Sequence, residues 1–178
     1  MQYDPEIYKL LLAWLVSYSI VTPIIVLVNY ILSFYFGSKT IFGLYPSTSP
    51  ILLISSELTY MTIAFAKTMW AFKHILKKDK YYPESAEEFR DFILLYATIH
   101  VMIDILWTIA VNNISGQFNF LKFLRNYSHE LGFYSLLRPL IVGIFLLLFT
   151  NIVVKYVGDL EAIGIVMFSM FMIIIASF

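Results

Sequence analysis

Residues 89–110 read FRDFILLYATIHVMIDILWTIA, an apolar run long enough to cross a bilayer as a helix. Beyond Arg90 and Asp91 at its start, the run carries two strongly polar side chains, His100 and Asp104. They are four residues apart, so a helix places them on one face, about 6 Å apart along the axis. An ionisable group in hydrocarbon is expensive and needs a partner or a purpose. This stretch therefore predicts both a membrane helix and a polar face on it.

Similar apolar runs lie on either side. They predict helices over about 8–36, 51–75, 136–157 and 160–178, so the expected fold is all-α: a polytopic bundle of five transmembrane helices in a single integral membrane domain, residues 1–178. Composition agrees. Hydrophobic residues make up 60% and charged residues only 13%, too few charges to cover one soluble core. The start of the chain is acidic (Asp4, Glu6) and the run after it is long, which predicts a retained first span rather than a cleaved signal. Pro23 falls inside this span and removes the hydrogen bond to the Ser19 carbonyl, which predicts a kink.

The connections are read from their punctuation. Gly37, Gly43, Pro46 and Pro50 mark a loop after the first span. A charged loop follows the second, and Ser85 with Glu88 has the spacing of a capping box opening the third. Gly158-Asp159 predicts a tight turn before the last span. Residues 111–131 are of intermediate polarity, with Phe120, Leu121, Leu124, Tyr127 and Leu131 along one face, which predicts an amphipathic helix lying in the interface.

Lysine and arginine set the orientation. With five spans and a cytoplasmic N-terminus, the inner side holds Lys9, Lys73, Lys77, Lys78, Lys80, Arg90 and Lys155. The outer side then holds Lys39, Lys122, Arg125 and Arg138. The positive-inside rule favours this arrangement, a multi-pass membrane protein with its N-terminus cytoplasmic. Trp14 and Trp70 are expected at the inner interface and Trp107 at the outer one, as belt residues.

Laid antiparallel, the spans bring Glu57, His100, Asp104, Asn29 and Arg138 to the same outer half of the bundle. One reading is a polar chamber in which Glu57, His100 and Asp104 bind a solute or pass protons. The other is a structural ion pair, with Arg138 neutralising Asp104 or Glu57. Pro139 suits the first turn of a helix, which puts Arg138 at the membrane surface. Lys67, with Thr150 and Asn151, lies in the inner half, where it either continues a pathway or snorkels to the interface.

Several classes have little support. The net charge is zero, so nothing favours nucleic acid as a partner, and the absence of cysteine removes thiolate metal sites and thiol redox chemistry. His74 and His129 do not match His100 in depth, against a bis-histidine haem. No Gly-x-Ser-x-Gly elbow occurs, and Tyr156 stands where the Gly-x-Gly-Asp motif of intramembrane aspartyl proteases needs glycine. No catalytic residue, metal or cofactor is therefore expected. Two expectations lead: a protein that moves protons, ions or a small solute through the polar site, or an accessory subunit of a larger membrane complex. A membrane-embedded lipid or quinone enzyme comes third. The expected partners are the bilayer and other membrane subunits or copies of this chain.

Overall fold

The computed structural model describes residues 5–36, 50–115, 125 and 134–175. The loop expected between the first two spans and most of the expected interfacial helix lie outside the described residues. Five helices are described: α1 Pro5–Phe36, α2 Pro50–His74, α3 Ala86–Asn113, α4 Tyr134–Tyr156 and α5 Asp159–Ile175. Of these, α1 over Pro5–Ile24, α3, and α4 over Pro139–Tyr156 are long and apolar enough to cross a membrane.

Local chemistry accounts for the helix ends. Pro5 and Pro50 occupy the first positions of α1 and α2, where a missing N–H costs nothing. Ser85 caps α3 from an extended backbone, its Oγ accepting from the Glu88 amide at 3.2 Å, as the spacing predicts. The return bond differs from a standard capping box, because Glu88 Oε2 accepts from the Glu84 amide instead of the Ser85 amide. Gly158 forms the turn into α5, its amide donating to Glu161 Oε2 at 3.1 Å. At the end of α2, Lys77 has a φ of 53°, in the left-handed region.

Two expectations about helix ends are corrected. Helix α3 runs to Asn113 and buries Val111, so the interfacial segment does not start at residue 111. Arg125 closes that end, its Nε donating to the Val111 carbonyl at 3.0 Å and its guanidinium also meeting the Ile114 carbonyl. A cation at a helix C-terminus satisfies carbonyls that have no partner in the helix. Helix α4 starts at Tyr134, which puts Pro139 past the first turn, inside the helix. Its ring interrupts the bond to the Ser135 carbonyl, and the first-turn reading of Arg138 falls with it.

The helices α1, α2, α3 and α4 form a closed ring of neighbours, each packed on the next and α4 on α1, with α5 against α1. The main core lies inside the ring. Trp14 is at its centre, fully buried, stacked on Phe65 with centroids 4.3 Å apart and donating from Nε1 to Thr62 Oγ1 at 3.1 Å. This overturns its expected place in the interfacial belt: the indole N–H finds a hydroxyl on α2 rather than water. Trp70 and Trp107 are half exposed. A smaller cluster of Ala13, Val16, Val153 and Ala162 joins α1, α4 and α5, the short side chains letting the backbones come close.

The outer surface is as apolar as the core, unlike that of a soluble domain. Helix α3 buries Phe92, Tyr96, His100, Asp104 and Val111 while exposing Leu94, Met102, Leu106, Trp107 and Ile109. Large exposed apolar side chains continue on α4 and α5, where Phe145, Met167 and Phe168 are each more than half exposed. A surface of this kind is matched by lipid and not by water. The α2–α3 loop is polar, and two of its lysines pair with nearby acids: Lys78 with Glu88 at 2.9 Å, and Lys80 with Glu84. The Glu88 carboxylate beside it holds the Lys78 ammonium above the ordinary lysine pKa.

Candidate functional site

Residues 92, 96, 100 and 104 repeat every four positions, so one face of α3 carries Phe92, Tyr96, His100 and Asp104 into the ring. From α2, Tyr60 comes to the same point. Its hydroxyl donates to Asp104 Oδ1 and lies 3.4 Å from the His100 carbonyl. On the other side of the imidazole, His100 Nδ1 and the Tyr96 hydroxyl are 3.1 Å apart, with donor and acceptor set by the histidine tautomer. The Tyr60 and Tyr96 rings flank the imidazole at 5.1 and 5.2 Å between centroids.

The result is a buried chain of protic groups: Tyr60, Asp104, His100, Tyr96. Its weak link is in the middle. His100 Nε2 and Asp104 Oδ2 are 3.6 Å apart, too far for a hydrogen bond, and neither atom has another hydrogen-bond partner among the described residues. His100 is fully buried and Asp104 is nearly so. Two polar atoms left unpaired in the protein interior, each facing the other across a small gap, can meet by a modest rotation of either side chain.

Helix α4 closes the site at Gly143. A Cβ there would overlap the Tyr96 ring, standing 2.7 Å from Cε1 and 2.8 Å from Cζ. Only glycine lets α4 approach Tyr96 this closely. The glycine therefore fixes where the Tyr96 hydroxyl sits, and through it one side of His100.

Among the residues expected to share this site, His100 and Asp104 are brought together, and their common face is as the sequence spacing implied. The side chains of Asn29, Glu57 and Arg138 lie outside the described residues, although their backbones belong to α1, α2 and α4. Lys67 is exposed, roughly two turns along α2 from Tyr60, and does not join the chain of protic groups. Thr150 is buried but engaged elsewhere: its Oγ1 lies 2.7 Å from the Leu146 carbonyl and 3.1 Å from Ser17 Oγ on α1.

Sequence reasoning missed Tyr60, Tyr96 and Gly143. For Tyr96 a signal was present, since it precedes His100 by the same four residues that separate His100 from Asp104. It was hidden by number: 13 tyrosines suit membrane interfaces, and nothing marks one of them as a partner.

No protein-family model, curated protein or solved structure matches this chain. Its class therefore rests on its own features: an all-helical protein with three helices able to span a membrane, apolar on its outer surface, with a few polar side chains buried in an apolar core.

Proposed function

We propose that the chain is a multi-pass membrane protein whose five helices all cross the bilayer, with its N-terminus cytoplasmic, and that it conducts protons through Asp104 and His100. The single observation that carries this reading is the pair of facing atoms, Asp104 Oδ2 and His100 Nε2, unpaired among the described residues and set inside a chain of hydroxyl, carboxyl and imidazole groups. Each member of that chain can both accept and release a proton. A carboxyl proton on Asp104 passes to Nε2 when the gap closes and is replaced through the Tyr60 hydroxyl, while the proton on Nδ1 passes to the Tyr96 hydroxyl as that hydroxyl releases its own proton onward. The site then resets by exchange of the ring's tautomer. The tyrosine rings on both sides of the imidazole leave little room for a larger solute, which favours a proton over an ion or metabolite.

Five crossings are supported by the length of α2, 25 residues, and by the packing of α5 on α1, itself long and apolar enough to span. The orientation is supported by the lysines and arginines gathered at the end that holds Lys9, Lys73, Lys77, Lys78 and Lys80.

The test is proton flux into liposomes holding the purified protein, driven by an imposed potential and read with an entrapped pH dye. Wild type is expected to conduct above protein-free vesicles, and Asp104→Asn and His100→Gln to lose that flux by roughly tenfold or more, the effect expected of removing a proton-transfer group. Thermal unfolding in detergent checks that both variants remain folded. Flux no greater than in empty vesicles overturns the proposal. If companion subunits co-purify from native membranes in that case, the buried chain is an assembly contact in an accessory subunit.

A further inference from the structure

A cleft of about 550 Å³ opens where the start of α1, the α2–α3 loop, the end of α4 and the start of α5 converge, and neither His100 nor Asp104 lines it. Its rim is charged: Glu6 and Lys9 from α1, Lys80 and Glu84 from the loop, and Asp159 from α5. Its floor is apolar, with Leu10 and Ala13 of α1 facing Val153, Val157 and Ala162 across the α1–α4–α5 seam. A pocket that is ionic at the top and aliphatic below, at the end of a bundle with an apolar outer surface, has the layout of a lipid monolayer.

The rim charges are not equivalent. Glu6 Oε1 accepts from the Tyr81 amide at 3.1 Å, and Lys80 pairs with Glu84, so those three are already committed. Lys9 and Asp159 form no ion pair among the described residues, and both are exposed. They are one cation and one anion, carried by different helices on the walls of the same cleft. A third feature points inward: Tyr82 lines the cleft, is 94% buried by its 6% exposure, and has a hydroxyl with no hydrogen-bond partner among the described residues.

We infer that this cleft binds the head group of a zwitterionic phospholipid, with the phosphate on Lys9, the ammonium on Asp159, and the upper acyl chain along the Leu10–Ala13–Val153 floor. An anionic lipid satisfies Lys9 and leaves Asp159 repelled. A neutral diacylglycerol fills the floor and satisfies neither charge. Only a head group carrying both charges meets both walls. The inference rests on the membrane-embedded reading of the bundle and is independent of proton conduction.

The test is native mass spectrometry of the full chain in detergent, with phosphatidylethanolamine, phosphatidylglycerol and diacylglycerol of identical acyl chains offered in turn. Phosphatidylethanolamine is expected to stay bound longest. Lys9→Gln and Asp159→Asn should each weaken its retention by roughly threefold to tenfold, as expected for one partly exposed charged contact. Arg90→Gln, away from the cleft, should retain it as wild type does. Because Lys9 and Asp159 are exposed, these variants keep the core intact, and equal unfolding temperatures verify this. Equal retention of phosphatidylethanolamine and phosphatidylglycerol overturns the inference, as does indifference to both substitutions. Carbonate extraction of native membranes separates the two failures: a protein released by carbonate sinks the membrane reading itself, whereas one that stays in the pellet without lipid preference sinks only the head-group site.

Discussion

Two of the buried polar contacts in this bundle solve the same problem differently. Between α1 and α4, Ser17 Oγ donates to the Ala13 carbonyl at 2.8 Å, and Thr150 Oγ1 reaches the Leu146 carbonyl at 2.7 Å and Ser17 Oγ at 3.1 Å. Each hydroxyl has an acceptor one turn back on its own helix, so burial leaves nothing unpaired. Between α2 and α3, a carboxyl and an imidazole are buried instead. Neither is satisfied by a carbonyl of its own helix, and they depend on tyrosines from two helices while still leaving one atom each without a partner among the described residues. The first contact is self-contained and interchangeable with apolar packing. The second is costly to keep and needs exact neighbours, which is the pattern of a site rather than of a strut.

Substitutions can break this contrast, beginning with the largest effect. Gly143→Ala forces a methyl group into the Tyr96 ring and should cost about 2–3 kcal/mol, toward the upper end for overpacking, because ring atoms and not a flexible tip must move. Chemical unfolding in detergent measures it, and an unchanged midpoint would show that α4 does not set the position of Tyr96. Tyr60→Phe removes the donor to Asp104 Oδ1 and leaves both carboxyl oxygens unpaired, at about 1–2 kcal/mol by the same assay. Thr150→Val should cost about 1 kcal/mol or less, since Ser17 keeps its Ala13 acceptor. Equal losses for Tyr60→Phe and Thr150→Val would erase the distinction between site and strut. The smallest effect lies outside both contacts: Lys77→Gly relieves a left-handed residue and should stabilise the protein by up to about 1 kcal/mol in the same titration.

The sequence was informative along each helix axis and poor around it. Helix bounds were readable from Ser85, Gly158 and the lengths of the apolar runs, and the shared face of His100 and Asp104 followed from their spacing alone. Which way each helix turns was not readable. In a soluble helix a polar outer face marks the inner one, but in lipid both faces are apolar and the contrast disappears. That is why Trp14, expected at the interface, lies in the core, and why Tyr60, one residue type among many like it, gave no sign of meeting Asp104. The start of α4 was misjudged for a different reason. A proline is compatible with a helix interior when neighbouring helices support it, so Pro139 did not mark the first turn.

The order of packing around the ring has a consequence for biogenesis. Helices α2 and α3 are consecutive and pair as soon as both are made, whereas α1 packs chiefly on α4 and α5, the last helices to emerge. In the membrane reading proposed above, α1 waits in the bilayer during synthesis without its principal partners, a delay that exposes polar groups to hydrocarbon in many nascent chains. Ser17 removes that hazard in advance. Its hydroxyl is already bonded to the Ala13 carbonyl of its own helix, so the nascent α1 presents the bilayer with no open polar group at that position until Thr150 arrives.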